Sequence, residues 1–182
     1  MEIANLSIII VTYKSNFFLE DCLNSIGKQK IFPDEIIIHD NNSPISPKTI
    51  VDKFSKDNPL IRINFLSSKK NVGFATGVNY AVKKARNPTI MLLNPDLIVE
   101  GDAIDKLYQF FKNSNYKRAV IVGGRSMSWD GSKVIDTVVK EPKFINILFE
   151  FTSLKKIFPD IIYSKGFWDR AAIKTKKEID VY

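Results

Sequence analysis

Short apolar runs alternate with amphipathic segments along the first two thirds of the chain. The first run, LSIIIVTY, is continuous and rich in β-branched residues, which is typical of a parallel strand covered on both faces. Three later runs have the same character and are followed by polar residues. The pattern predicts strands at residues 6–13, 34–40, 60–66 and 89–94.

Between these strands, apolar residues recur at the three- and four-residue spacing of helices. Asn16 is predicted to cap the first helix. Ser46 and Pro47 are predicted to be the cap and the first residue of the second helix. A fourth helix is predicted from Ile104 to Phe111. The third helix follows the polar loop SSKKNVG, and its predicted buried stripe consists of Val78, Ala81, Val82 and Ala85.

This alternating order predicts an α/β fold of the Rossmann-like type, with a mostly parallel central sheet, right-handed crossovers and flanking helices. A further strand is predicted at residues 118–124, followed by a hairpin around Asp130 and Gly131. The regular alternation then stops. We therefore expect residues 1–139 to form the binding core and residues 140–182 to form an incomplete C-terminal segment of the same domain.

The segment FINILFEFTSLKKIF, residues 144–158, is largely apolar and carries few charges. One interpretation is a helix that packs on the sheet. The other is an amphipathic surface that contacts a membrane or a lipid-linked substrate. The sequence leaves both interpretations open.

Composition narrows the class of protein. With 182 residues, 45% of them hydrophobic, the chain is large enough for one domain with a substantial core. The single cysteine, Cys22, excludes an intrachain disulfide and is predicted to lie in the core. No secretory signal pattern and no apolar run of about 20 residues is present. We therefore expect a cytoplasmic protein, with peripheral contact with the inner face of the membrane as an open alternative.

The formal net charge of +7 favours anionic partners such as nucleotide phosphates or acidic lipids. No zinc-finger, KH or RRM motif accompanies this charge, so nucleic acid is not an expected partner.

Polar residues follow each of the four predicted strands. In an open parallel sheet, ligands bind outside the carboxyl ends of the strands, near the position where the strand order reverses. Four polar strand ends that meet at one edge favour a binding crevice over a set of unrelated turns. The predicted rim contains Thr12 and Tyr13, then Asp40 to Ser43, Asn71 to Phe74, and Asn94 to Asp96.

These residue types are suited to a nucleoside diphosphate. A carboxylate such as Asp40 can accept a hydrogen bond from the imide N–H of a pyrimidine base, although DNNS is also turn composition in its own right. Tyr13 can stack on a base or cover the core. Gly73 permits close backbone approach at the start of a helix, and Lys69 and Lys70 nearby favour a phosphate there.

Asp96 is the predicted metal ligand. Mg²⁺ or Mn²⁺ is commonly held by one or two carboxylates together with phosphate oxygens of the substrate, so one carboxylate can suffice. The alternative is that Asn94, Pro95 and Asp96 form an ordinary β-turn. His39, the only histidine, is predicted to be a packed or an edge residue of the second strand and not to act as a base.

In order and spacing, the segments LSIIIVTYKS, IIIHDNNS, NVGFATGVNYAV and IMLLNPDLIV resemble glycosyltransferase family 2 enzymes with the GT-A fold, in particular the rhamnosyltransferase-like branch. The resemblance covers about residues 6–139. It implies that Asp96 meets a divalent cation in the place of the family's DxD motif, where Asn94 replaces the first carboxylate. It implies that Thr12, Tyr13 and Asp40 hold the nucleobase and ribose. The residues implied to line the rest of the nucleoside-diphosphate pocket are Asn71, Gly73, Phe74 and Asn79.

The resemblance also implies inverting transfer of a sugar from a dTDP- or UDP-sugar to a glycan or a lipid-linked acceptor. The family's general base lies in a later ED-type motif, which we expect beyond the last residue, so no catalytic residue is assigned.

The alternative to an enzyme is a noncatalytic module that binds a nucleotide sugar or takes part in assembly. A homo-oligomer that pairs through a sheet edge is also an open interpretation. A nucleotidyltransferase would need a glycine-rich basic loop after the first strand, and VTYKSNFF provides none.

Overall fold

The structure, a computed structural model, describes residues 2–113, 121–124, 126–128 and 134–135 of the 182-residue chain. The chain divides into two compact units, Met1–Val122 and Gly123–Tyr182. In the described part of the first unit, strands and helices alternate in the predicted order. Its elements are β1 (Glu2–Thr12), α1 (Asn16–Gly27), β2 (Ile31–Asp40), α2 (Lys48–Asp57), β3 (Arg62–Ser67), α3 (Phe74–Val82), β4 (Thr89–Leu92) and α4 (Ala103–Asn113).

The four strands of this unit form one parallel sheet in the order β3-β2-β1-β4. The parallel arrangement confirms the sequence prediction. Each step from β1 to β2 to β3 moves in one direction, whereas β4 returns to the other side of β1. The strand order therefore reverses between β1 and β4, which is where an open α/β sheet has its ligand crevice.

Both faces of the sheet are covered, which explains why β1 reads as an unbroken apolar run. Ile8 and Ile10 belong to one core cluster, and Ile9, between them, belongs to another. Alternate residues of a strand point to opposite faces, so each cluster fills one side of the sheet. Helices α1, α2 and α4 contribute Leu23, Phe54 and Ile104 to the larger cluster, and α3 contributes Ala81 to the smaller one.

The predicted helix starts are wrong by one residue. Ser15 occupies the N-cap position of α1, and Asn16 is the first helical residue. The Asn16 side chain instead donates a hydrogen bond across to the carbonyl of Ile45, at 3.1 Å. Pro47 is the N-cap of α2 and not its first helical residue. At the start of α2, Ser46 Oγ still accepts a hydrogen bond from the Lys48 backbone N–H at 3.3 Å, so the predicted capping side chain does contact this helix end.

The predicted buried stripe of α3 is partly wrong. Ala81 is fully buried as expected, but its partner on the sheet side is Gly77. Val82 is exposed and Val78 is half-buried. Ala85 lies beyond the end of the helix, but it packs against the smaller core cluster as the prediction required. The helix ends earlier than the apolar pattern indicated, and the small residues allow it to approach the sheet closely.

A buried polar network holds the connection from α3 to β4 at the opposite edge of the sheet. Ser7 Oγ donates to Glu35 Oε1 at 2.7 Å, and the Arg86 backbone N–H donates to the same oxygen at 2.7 Å. The Asn87 amide group donates to Ser7 Oγ at 3.1 Å. Because Ser7 and Glu35 are paired in register on β1 and β2, this network fixes the segment that leads into β4.

In the second unit, β5 (Ser126–Met127) and β6 (Val134–Ile135) pair antiparallel, as expected for the predicted hairpin. Its turn at Asp130 and Gly131 and residues 140–182 lie outside the described residues, and so do residues 118–120 of the strand predicted at 118–124. Residues 121–124 are not a strand. None of the helices in the described ranges is long and apolar enough to cross a bilayer.

Candidate active site

The ends of three strands lie level with one another. Thr12 on β1 is paired with Asp40 on β2, and Asp40 is paired with Ser67 on β3. The last paired residue of β4, Leu92, lies beside Ile9, so the residues that follow it approach the same edge next to β1. The predicted polar strand ends therefore share one rim.

The end of β1 combines one buried and one exposed side chain. Thr12 is fully buried, and no described group forms a hydrogen bond with its Oγ1. Tyr13 is 41% exposed, and Lys14 Nζ lies 5.2 Å from the centroid of its ring. Lys14 adopts φ 56°, and its backbone N–H donates to Ser43 Oγ at 3.0 Å. This bond ties the end of β1 to the loop that follows β2.

Asp40 is enclosed at the end of β2, with only 4% of its surface exposed. Its Oδ1 accepts a hydrogen bond from the Ser43 backbone N–H at 3.1 Å, so the turn that the DNNS composition indicated does form. Within the described ranges, Oδ2 makes no hydrogen bond. The carboxylate thus holds its own turn with one oxygen and has a second oxygen for a ligand.

Asn41, the next residue, links β2 to the segment before α3. It is 3% exposed, and its Oδ1 accepts a hydrogen bond from the Val72 backbone N–H at 2.8 Å. Its Nδ2 donates to Asn71 Oδ1 at 2.9 Å, and the same oxygen accepts from the Gly73 backbone N–H at 2.9 Å. Sequence reasoning placed Asn41 in the rim but missed this role, because no local signal separates it from the exposed Asn42.

The start of α3 presents a positive helix end to the rim. Gly73 is its N-cap with φ 82° and ψ 162°, a conformation that favours glycine, and no side chain caps the helix. The first turn contains no acidic residue, and Phe74 is 56% exposed. Lys69 and Lys70 are exposed in the loop just before it. Backbone N–H groups, the helix dipole and two ammonium groups together favour an anion here.

Helix α3 lies close to the sheet because Gly77 faces His39. A Cβ atom at Gly77 would be 2.7 Å from His39 Nδ1 and 3.0 Å from Val11 Cγ1. His39 is 2% exposed, and its Nε2 lies 2.8 Å from Ser68 Oγ. Burial lowers the pKa of His39, although the neighbouring Asp40 opposes this shift. The prediction that His39 is packed within β2 is therefore confirmed.

Asp96 lies in a turn after β4. The Leu97 backbone N–H donates to the Asn94 carbonyl at 3.3 Å, which closes a β-turn with Asp96 at its third position. Asn94 and Asp96 are both exposed. Cys22 Sγ lies 3.6 Å from the Asn94 carbonyl, and burial, with a further contribution from Asp96, raises the pKa of this thiol to about 12.

Asp96 is a single exposed carboxylate, and the described residues form no complete metal site around it. Across the described residues, no group of three or more histidine, cysteine or acidic side chains lies together. Asp96 is exposed, and the ion-pair partners seen in the described ranges do not include it. A single carboxylate of this kind can hold Mg²⁺ or Mn²⁺ only when a ligand supplies further oxygens.

One predicted site residue is separated from the others. Asn79 lies on the exposed side of α3, two positions from Gly77 and two from Ala81, which face the sheet. No described contact connects Asn79 to the rim. The remaining predicted residues lie along the aligned strand ends, at the start of α3, or in the turn after β4.

Comparisons with known proteins extend this description. The family model described as glycosyl transferase family 2 matches residues 7–168. Chondroitin synthase from Pasteurella multocida (strain Pm70) is 28% identical over 128 residues, which are 70% of this chain and 13% of the synthase.

Two solved structures share the fold. Staphylococcus aureus TarS in complex with UDP gives a TM-score of 0.52 at 23% identity, covering 62% of this chain and 32% of that chain. The mannosyltransferase PcManGT from Pyrobaculum calidifontis, in complex with GDP-Man and Mn²⁺, gives 0.50 at 19% identity, covering 53% and 29%. This chain thus spans less than a third of each of these three relatives.

Proposed function

Since this chain belongs to glycosyl transferase family 2 and has the GT-A type of fold, we propose that it binds a nucleoside-diphosphate sugar as the donor for glycosyl transfer. The observation that carries the proposal is the convergence of polar strand ends with the positive start of α3. TarS in complex with UDP and PcManGT in complex with GDP-Man support this class of ligand.

The base and ribose would bind at the ends of β1 and β2. Asp40 can use Oδ2 to accept the imide N–H of a uracil or thymine ring while Oδ1 holds the turn. Thr12 lies beside Asp40, at the same level of the sheet. Its buried Oγ1 has no hydrogen-bond partner among the described residues. The exposed ring of Tyr13 can stack on the base. A pyrimidine nucleotide, as in a UDP- or dTDP-sugar, is the donor that this chemistry favours.

The diphosphate would lie among Lys69, Lys70, the first turn of α3 and Asp96. Asn71, Gly73 and Phe74 form the exposed edge beside it. Asp96 would hold a Mg²⁺ or Mn²⁺ ion together with phosphate oxygens. When bound, such an ion offsets the negative charge that grows on the departing diphosphate.

The proposed reaction is inverting transfer. An acceptor hydroxyl attacks the anomeric carbon, the bond to the diphosphate breaks, and the hydroxyl proton passes to a general base. Among the described residues we assign no base, because His39 is buried against Ser68 and Asp40 is enclosed in its turn. A glycan or a lipid-linked acceptor is the proposed second substrate, and the similarity to a chondroitin synthase supports the glycan.

Titration calorimetry of the 182-residue chain with UDP, dTDP and GDP, with and without Mn²⁺, tests the proposal. Asp40→Asn keeps an oxygen for the Ser43 turn but places an amide N–H against the imide, so we expect weaker pyrimidine binding. Asp96→Asn keeps the turn and should remove the dependence on Mn²⁺. Asp57→Asn, on the exposed end of α2, is the matched control.

Failure of the wild-type chain to bind any of the three nucleotides would refute the proposed function. Equal binding by all the variants would refute the residue assignments. Release of the sugar from a UDP- or dTDP-sugar separates an enzyme from the noncatalytic binding module, since only the enzyme turns the donor over.

A further inference from the structure

The segment that joins β3 to α3 is held at both ends by buried side chains of one strand end. His39 and Asn41 are 2% and 3% exposed. His39 Nε2 lies 2.8 Å from Ser68 Oγ, at the start of the segment. Asn41 bonds to Asn71 and to the backbone of Val72, at its end. The course of this loop is therefore set by β2 and not by the loop's own composition.

The orientation of both asparagine side chains follows from the backbone donors around them. The Val72 N–H requires an acceptor, so the atom of Asn41 that faces it is Oδ1. The Nδ2 group of Asn41 then faces Asn71, which must present Oδ1. The same Asn71 oxygen also accepts the Gly73 N–H, which excludes the flipped amide. Only one assignment satisfies all three hydrogen bonds.

This chain of bonds ends at the residue where α3 begins. Gly73 is the N-cap of α3, and its carbonyl accepts the Gly77 N–H at 3.1 Å, the first bond of the helix. We propose that Asn41 is a positioning residue of the donor site, because its carboxamide fixes the first turn of α3 without touching the ligand. The inference rests on the proposed function, in which that turn faces the diphosphate.

Asn41→Asp isolates this role, because the variant has nearly the same shape. One carboxylate oxygen can still accept the Val72 N–H, but the other faces Asn71 Oδ1, which the Gly73 N–H keeps as an acceptor. Two oxygens at this distance repel each other, so we expect the Kd for the best-bound nucleotide to rise about tenfold at about pH 8. Burial and the facing Asn71 oxygen disfavour the ionised form, so the introduced carboxyl should take up a proton at a higher pH than an ordinary aspartate, and protonation restores a donor. At about pH 5 the Kd should return to within about twofold of wild type.

The measured quantity is the ratio of the variant Kd to the wild-type Kd at each pH. Both proteins contain the same other charged groups near the site, so the contribution of these groups to the pH dependence of the Kd cancels in the ratio. These groups are His39, Asp40, Lys69, Lys70 and the ligand phosphates. Asn24→Asp is the matched control, since it makes the same chemical change at an exposed position of α1, outside the predicted rim and outside the three bonds. Its ratio should stay within about twofold of unity at both pH values.

Hydrogen exchange in the unliganded chain provides a second measurement. In Asn41→Asp, the repulsion between the two facing oxygens should displace the segment that holds Asn71, so the Val72 and Gly73 amides should lose protection at about pH 8. Asn71→Asp should keep that protection, because it retains an oxygen that accepts from both Asn41 and Gly73. Equal protection in the two variants would overturn the inference.

The possible failures are distinguishable. A wild-type chain that binds no nucleotide overturns the proposed function. If the wild-type chain binds a nucleotide but Asn41→Asp gives the same Kd ratio as Asn24→Asp, only the positioning role is overturned. Unfolding of Asn41→Asp at both pH values also overturns it, because the amide would then be a requirement of the fold.

Discussion

Replacement of Gly77 by alanine sets two opposing effects against each other, and the packing of α3 decides which is larger. Alanine favours a helix over glycine by about 1 kcal/mol, partly by restricting the unfolded chain. Against this, the added methyl would lie 2.7 Å from His39 Nδ1 and 3.0 Å from Val11 Cγ1. A real Cβ atom does not tolerate the first of these distances, so something must shift.

Neither neighbour can move easily. His39 is 2% exposed and is bonded to Ser68, and Val11 is 8% exposed in the centre of the sheet. The helix itself must therefore move away, at an overpacking cost of about 1–3 kcal/mol. After subtraction of the propensity gain, we expect Gly77→Ala to destabilise the protein by up to about 2 kcal/mol, or up to about 6 °C in Tm.

Calorimetric melting of four proteins measures this balance: wild type, Gly77→Ala, His39→Ala and the double variant. In the His39→Ala background the imidazole is absent, so the methyl group of the alanine at position 77 has space on that side. Gly77→Ala should therefore become neutral or stabilising in this background. The sign of its effect should thus depend on residue 39. A Gly77→Ala chain that melts higher than wild type would refute the close approach of α3 to the sheet.

Three further outcomes follow from buried groups. The pKa of Cys22 is raised to about 12, so a thiol reagent at about pH 8 should label it only as fast as the protein unfolds. Ser7→Ala should lower the free energy of urea unfolding by about 1–3 kcal/mol, because Glu35 and Asn87 each lose a partner. The lowered pKa of His39 makes the unfolded chain bind more protons. Stability should therefore fall as the pH drops below about 6.5, and His39→Gln should reduce this slope.

The order of elements was predictable because it depends on local pattern. Ile8, Ile9 and Ile10 form an unbroken run, which only a strand covered on both faces requires, and the helical stripes between such runs then imply parallel crossovers. The polar residues at the strand ends were predictable for a related reason. The carboxyl ends of parallel strands meet at one edge whatever the loops between them do.

Other features depended on partners that are distant in the sequence. Asn41 and Asn42 are chemically identical neighbours, yet Asn41 is buried because the N–H of Val72, 31 residues later, requires an acceptor. Asn16 begins α1 and does not cap it: its Nδ2 donates to the Ile45 carbonyl, and in this orientation its Oδ1, the atom that would cap a helix, has no hydrogen-bond partner among the described residues. Capping and turn preferences are local free energies of about 1 kcal/mol, and one long-range hydrogen bond of similar size can reverse them.

The two carboxylates of the proposed site differ in exposure, and the sheet topology is the cause. Asp40 ends β2, which has a neighbouring strand on each side, so its carboxylate is enclosed and one oxygen is held by the Ser43 N–H. A fixed, enclosed acceptor distinguishes ligands by their hydrogen-bond donors. Asp96 follows β4 beyond the reversal of strand order and lies in an exposed turn. An exposed carboxylate is poorly suited to recognise a base, but it can share a hydrated cation with phosphate oxygens. The topology therefore favours base recognition by Asp40 and metal sharing by Asp96, and an exchange of these roles would leave each group in the wrong environment.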